Sequence, residues 1–268
     1  MAGGDGGAWE YAGKWALVTG ASSGIGEALA RALAARGTSV LLAARREERL
    51  HVLAGELRRA YGVDAEALPA DLGKPGGAGV LWIEATDGRE IHLLVNNAGF
   101  GLKGRFDRLS LERQAEMVRL NCTALMELTH LALPPMRARR SGAVVNVASV
   151  AAFQPIPDLA VYAASKAFVL SLTQAVAEEC RGSGVRVLAL CPGPVATGFQ
   201  EVAGTQVTGR TPGIMTAEEV AAATLRALDA GEHTVVPGAL NRLGTIAGRM
   251  FPRSLVVRAA KTVMKRMR

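Results

Sequence analysis

With 268 residues, 49% of them apolar and 21% charged, the chain has ample material for a real core in one large domain or two small ones, and its charge is ordinary for a soluble protein. The net charge of +7 is local: eight of the 31 Lys and Arg residues lie from Arg242 onward with no acidic residue among them, leaving 23 basic against 24 acidic before that point, which argues against a nucleic-acid-binding body. Cys122, Cys180 and Cys191 are too scattered for a disulfide framework or a zinc site, and "MAGGDGGAWEYA" lacks both parts of a secretory signal, so a reducing, cytoplasmic setting without a bound metal is expected.

The elements alternate along the chain. Residues 1–13 read as a flexible lead-in. "KWALVT" (14–19) is a short apolar run ending at Gly20, and "GIGEALARALAARG" (24–37) follows with helical spacing. "SVLLAA" (39–44) predicts a second strand, "REERLHVLAGELRRAYG" (46–62) an amphipathic helix and "AEALPA" (65–70) a third strand. A crossover helix is due over 73–82, weakened at its start by glycine. Three more apolar runs, 91–97, 142–149 and 185–191, alternate with helical segments at 110–138 and 158–181. The segment 200–215 has no clear period and reads as a binding loop. Continuous apolar strands separated by helices predict an α/β fold, a doubly wound Rossmann-type parallel sheet of about seven strands with helices on both faces. The expected division is a catalytic domain over 14–238 and a basic amphipathic extension over 239–268. No run of apolar residues reads as a membrane span.

"TGASSGIG" (19–26) places Gly20, Gly24 and Gly26 between a strand and a helix. Gly20 permits the tight exit from the strand, Gly24 close approach of a pyrophosphate, and Gly26 close helix–sheet packing, with the anion on the helix N-terminus. The plainer reading is a glycine-rich turn without a ligand. An NAD site needs a carboxylate at the end of the second strand. Here Ala44 stands in that place and Arg45 and Arg46 follow, which suits the 2′-phosphate of NADP(H), with Arg45 the favoured partner. The two arginines also read as ordinary surface residues opening a helix.

Tyr162 and Lys166 are four apart on one helix face. A phenol of pKa about 10 is a poor base at neutral pH, and a neighbouring ammonium is expected to lower it. With "TGASSGIG", "NNAG" (96–99), "YAASK" (162–166) and "PGPVATGF" (192–199) in this order, the chain resembles the short-chain dehydrogenase/reductase family in its single-domain, NADP-dependent branch, near ketoacyl reductases and hydroxysteroid dehydrogenases. The resemblance runs from about Lys14 to about Pro237 and extends to Asn121 and Ser149.

That resemblance implies an oxidoreductase. Tyr162 exchanges a proton, Lys166 bonds the nicotinamide ribose, Ser149 holds the substrate oxygen and Asn121 orders a relay water. It implies that the cofactor lies along Gly20, Ser22, Ser23, Gly24, Ile25 and Gly26. Asp71 and Leu72 flank the adenine, although Asp71 also reads as a helix cap. Asn97, Ala98 and Gly99 line the adenosine half, and Pro192, Gly193, Val195 and Thr197 the nicotinamide half. Apolar residues frame the expected substrate pocket: Ala151, Phe153 and Phe199 foremost, then Phe100, Leu102, Pro155, Ile156 and Met215. They favour a small hydrophobic ketone or aldehyde, ketoacyl or steroid-like, reduced to the alcohol. The family also implies a homodimer or homotetramer through the two long helices. Two other classes stay open: an NADPH-binding sensor or scaffold without turnover, and an adaptor acting through the tail. In "SLVVRAAKTVMKRMR" (254–268) a basic stripe at Arg258, Lys261, Lys265 and Arg268 opposes an apolar side, which either packs on the fold or lies weakly on an anionic membrane.

Overall fold

A computed structural model describes residues 9–196, 213–250, 256–258 and 260. Seven parallel strands form one sheet in the order β3-β2-β1-β4-β5-β6-β7: β1 Trp15–Thr19, β2 Ser39–Ala44, β3 Ala65–Pro69, β4 Ile91–Asn96, β5 Gly142–Val147, β6 Val185–Leu190 and β7 Thr234–Val235. The apolar runs form strands because both faces are covered; every residue of β5 is buried. Alternate side chains of β1 divide the core. Ala16 and Val18 face helices α1 (Gly24–Ala34), α2 (Glu47–Tyr61) and α7 (Ala217–Asp229), while Leu17 faces α3 (Gly77–Thr86), α5 (Leu125–Ala138) and α6 (Ala160–Glu179). The strand order reverses between β1 and β4, so the crevice for a ligand opens above the C-terminal ends of these two strands.

Four features depart from the sequence pattern. Residues 9–13 are not a loose lead-in: Trp9 and Tyr11 are buried, and the Tyr11 hydroxyl donates to Asp229 Oδ1 at 2.7 Å beneath the Arg36 guanidinium. The segment 110–138 is not one helix but α4 (Leu111–Val118), a π-helical turn at Arg119–Ala124, and α5. α3 starts only at Gly77, after Gly76 takes a left-handed φ of 76°. β7 has two residues, too few to show a period in sequence. The periodless segment 200–215 lies outside the described residues as far as 212.

α6 is long and apolar enough to pass for a membrane span, with a mean hydropathy of 1.3. Its buried residues Val169 and Leu170 pack against the sheet instead. Past the body, α8 (Ala239–Met250) begins the C-terminal extension, and residues 256–258 are again helical. Val257 reaches α6, where it shares an apolar pocket of about 390 Å³ with Ala160, Ala164 and Ala167.

Candidate active site

The first turn of α1 opens directly on the glycine loop. Its N-cap, Ser23, makes no side-chain capping bond, so its side chain leaves the first N–H groups of the helix uncapped. Gly20 and Gly24 both adopt positive φ, 66° and 59°. A Cβ at Gly26 would collide with the Gly20 carbonyl, so the turn and helix close up only without one. These features fit a dinucleotide pyrophosphate. Asn97 locks the loop from the other side, with its Nδ2 donating to the carbonyls of Thr19 at 2.9 Å and Gly20 at 3.2 Å. Thr19 is a contributor that the sequence reading missed. Its hydroxyl accepts from the Asn97 and Ala98 amides, both at 3.0 Å, and joins the ends of β1 and β4.

The two arginines take different places. Arg46, the less favoured on sequence grounds, folds over the glycine loop and donates to the Ser22 hydroxyl at 3.0 Å and the Ser23 hydroxyl at 2.7 Å. Arg45 extends outward, its Nη1 3.8 Å from Glu116 Oε1. Both stand at the end of β2 beside Ala44, with no carboxylate in the place an NAD site would fill, and so they fit a 2′-phosphate. Asp71 does not cap the helix, since the N-cap of α3 is Gly76 without a side-chain capping bond; its Oδ1 instead accepts from the Gly73 amide at 3.0 Å and shapes the turn that leads to α3. Leu72 is buried in the core layer beneath, and Ile25 packs partly buried against the opposite layer.

The four polar residues assigned to catalysis converge. Asn121 lies in the π-helical turn, completely buried, and its side chain clasps Phe100: Oδ1 accepts from the Phe100 amide at 3.1 Å and Nδ2 donates to the Phe100 carbonyl at 3.0 Å. The same Nδ2 donates to Ser165 Oγ at 3.1 Å, and Ser165 in turn donates to the Tyr162 carbonyl at 2.7 Å. Ser165 was not singled out in sequence, because a serine inside an apolar helix reads as filler. A Cβ at Gly99 would sit 2.8 Å from Asn121 Oδ1 and 3.6 Å from Lys166 Nζ, so this glycine lets the β4 exit approach both. Ser149 lies two residues past β5 and caps the turn at Val150–Phe153, with its hydroxyl accepting from the Ala151 amide at 3.1 Å and in a hydrogen bond with the Tyr162 phenol.

The electrostatics differ from expectation. Lys166 is buried, and its Nζ donates to the Val147 carbonyl at 2.7 Å while standing 6.0 Å from the Tyr162 ring centre. Burial brings its pKa down to about 8. The Tyr162 phenol is pushed up, not down: burial dominates, and the Ser149 hydroxyl only partly offsets it. The ammonium's hydrogen bond goes to the β5 carbonyl, which is why it does not lower the phenol as the spacing suggested. The buried Lys166 charge carries a stability cost. Its folded pKa lies below the unfolded value of 10.5, so the cost is full below pH 8 and fades as pH rises toward 10.5. Lys166→Met is therefore expected to stabilise the protein by up to about 3 kcal/mol at pH 7, and by less at pH 9.5. Denaturation midpoints of variant and wild type at the two pH values check this; a gain over wild type no larger at pH 7 than at pH 9.5 contradicts it.

The apolar wall divides. Ala151 is buried beside Ser149, and Phe153 leans on a cluster with Val169 and Cys191. Phe100 is buried with the Arg113 guanidinium 4.8 Å from its ring centre, so a cation borders a wall that reads as wholly apolar in sequence. Leu102 is half-buried in the loop after Phe100. Pro155 and Ile156 line the pocket shared with Val257. Pro192 is tied to the Ser149 segment by a bond from the Val150 amide to its carbonyl, 3.0 Å, and Val195 pairs with Met215. Thr197 and Phe199 lie outside the described residues. All three cysteines are free and buried; Cys191 is pushed up to about 12 by burial and touches the Ser149 backbone. No cluster of metal-ligating side chains occurs among the described residues.

The family model described as short chain dehydrogenase matches residues 14–208. The chain belongs to this family. Among short-chain dehydrogenases, the 7beta-hydroxysteroid dehydrogenase of Collinsella aerofaciens is 36% identical over 188 residues, 70% of this chain and 71% of that protein. The human protein named inactive hydroxysteroid dehydrogenase-like protein 1 is 34% identical over 187 residues, 69% of this chain, but the match spans only 57% of that longer relative. Among solved structures, a short-chain dehydrogenase from Sphingobium yanoikuyae in complex with NADPH superposes with a TM-score of 0.81 at 36% identity, covering 88% of this chain and 93% of that one. The chain thus belongs to an oxidoreductase family with a nucleotide-binding Rossmann fold.

Proposed function

We propose that this short-chain dehydrogenase reduces the ketone or aldehyde of an apolar substrate with NADPH. The observation that carries the reading is the convergence of Ser149, Tyr162 and Lys166 at the end of β5, above a crevice bordered by Arg45 and Arg46. The glycine loop and the N-terminus of α1 would hold the pyrophosphate, and the two arginines the 2′-phosphate. When bound, the nicotinamide supplies hydride to the carbonyl carbon. Ser149 holds the carbonyl oxygen, and Tyr162 delivers the proton to it. Burial keeps that phenol protonated at neutral pH, which suits a proton donor in reduction. Lys166 supplies a positive charge in a dry site, and Asn121 holds the Phe100 backbone and Ser165 in place. The apolar residues near Ser149 and the steroid-active relative support a hydrophobic carbonyl.

NADPH consumption across aliphatic ketones, ketoacyl thioesters and ketosteroids tests the reading. Turnover of at least one class is expected, faster with NADPH than with NADH, and equal use of both cofactors counts against the arginine assignment. The relative named inactive keeps a second reading in view, NADPH binding without turnover, which the same screen separates. Exposed Val118, Met126 and Phe168 on the α4–α6 side support assembly with a second copy. Light scattering is expected to show a dimer or tetramer, and a monomer at every accessible concentration contradicts this.

A further inference from the structure

Three glycines far apart in sequence converge on one side chain in the C-terminal extension. A Cβ at Gly193 or Gly213 would run into the Asn241 side chain, and one at Gly238 would lie 3.0 Å from Asn241 Nδ2. Gly213 and Gly238 also hold left-handed φ values of 72° and 85°, which only glycine adopts without strain. Asn241 fills the space they leave. Its Nδ2 uses both protons, donating to the Gly213 carbonyl at 3.0 Å and to the Pro237 carbonyl at 3.0 Å.

Beside it, the chain entering at 192 and the chain returning at 213 are stitched together. The Ala196 amide donates to the Met215 carbonyl and the Met215 amide to the Pro194 carbonyl, both at 3.0 Å. The other end of this turn is fixed to the catalytic strand by the bond from the Val150 amide to the Pro192 carbonyl. Asn241 therefore bonds two pieces of backbone, the returning chain at Gly213 and the exit from β7 at Pro237, and packs against a third, the turn at Gly193 that abuts Ser149.

We propose that Asn241 is a positioning residue that sets the turn at 192–196 against Ser149 and so fixes the nicotinamide end of the cofactor site. The part concerning nicotinamide rests on the NADPH reading above; the part concerning the turn does not. Asparagine suits the place because aspartate, of the same shape, would set a carboxylate against two carbonyls. Glutamine would be one methylene too long for the space beside Gly193.

Two measurements on the full chain test this. In Asn241→Asp, hydrogen exchange at the Ala196 and Met215 amides is expected to rise about tenfold, the loss of roughly one hydrogen bond, while β5 amides keep their wild-type rates. NADPH affinity is expected to fall about tenfold on the same arithmetic, while adenosine 2′,5′-bisphosphate, which carries only the adenosine half, binds as before. If the aspartate variant does not fold, Asn241→Ala removes the bonds without adding charge and serves for both measurements. Unchanged exchange at Ala196 and Met215 overturns the inference, as does an equal loss of affinity for both ligands. If the wild-type chain binds neither ligand, the NADPH reading fails, and the exchange result alone decides the role of Asn241.

Discussion

Tyr162→Phe is expected to lower kcat by about 10²- to 10⁴-fold, the usual contribution of a positioned proton donor, with little change in NADPH affinity. Phenylalanine keeps the ring and its packing in α6 and removes only the hydroxyl that meets Ser149. Because the phenol pKa is raised while that of Lys166 is lowered to about 8, wild-type reduction should hold its rate through neutral pH and decline in alkali, first as Lys166 loses its charge and only later as the donor loses its proton. Steady-state kinetics of the two proteins, with cofactor titration by fluorescence, checks the claim. A variant retaining wild-type kcat removes Tyr162 from the chemistry.

The second large effect concerns cofactor choice. Charge-assisted hydrogen bonds are worth about 1.5–3 kcal/mol each, so removing both guanidinium groups in Arg45→Ala/Arg46→Ala is expected to weaken NADPH by about 10²-fold or more and NADH hardly at all. The single variants apportion the effect. Arg46 already bonds Ser22 and Ser23, so its removal also loosens the glycine loop and should weaken NADH slightly. Among the described residues Arg45 pairs with Glu116 at 3.8 Å, an exposed contact of little energetic weight, so Arg45→Ala should affect NADPH alone. Equal losses for both cofactors in the double variant would mean that the arginines hold the loop and do not read the phosphate.

The sheet was legible because a parallel strand covered on both faces must be apolar throughout, and "VLLAA" and "GAVVNV" can do little else. The glycine loop and the Tyr162–Lys166 pair were legible for a related reason: each is a local pattern whose geometry follows from one turn or one helix. What could not be read depends on residues distant in sequence. The lead-in at 9–13 shows no period, and its anchor, Asp229, lies across the fold on α7. The π-helical turn at 119–124 is fixed by what Asn121 clasps, Phe100 and Ser165, and not by its own propensities. The spacing of Tyr162 and Lys166 predicted a shared face but not the Val147 carbonyl that takes the ammonium's bond, because that carbonyl belongs to β5. Asn241 was invisible for the same reason, since its environment is assembled from glycines at 193, 213 and 238.

The most direct test of the central claim is transfer of label. The protein is incubated with NADPH carrying deuterium at the nicotinamide C4 and a panel of ketosteroids, ketoacyl thioesters and aliphatic ketones, and the products are read by mass spectrometry. The account predicts an alcohol with deuterium on the former carbonyl carbon from at least one apolar member of the panel, and none from the Tyr162→Phe protein over the same interval. Tight NADPH binding with no label transferred to any carbonyl would contradict it, and would leave a short-chain dehydrogenase fold that binds its cofactor without turning it over.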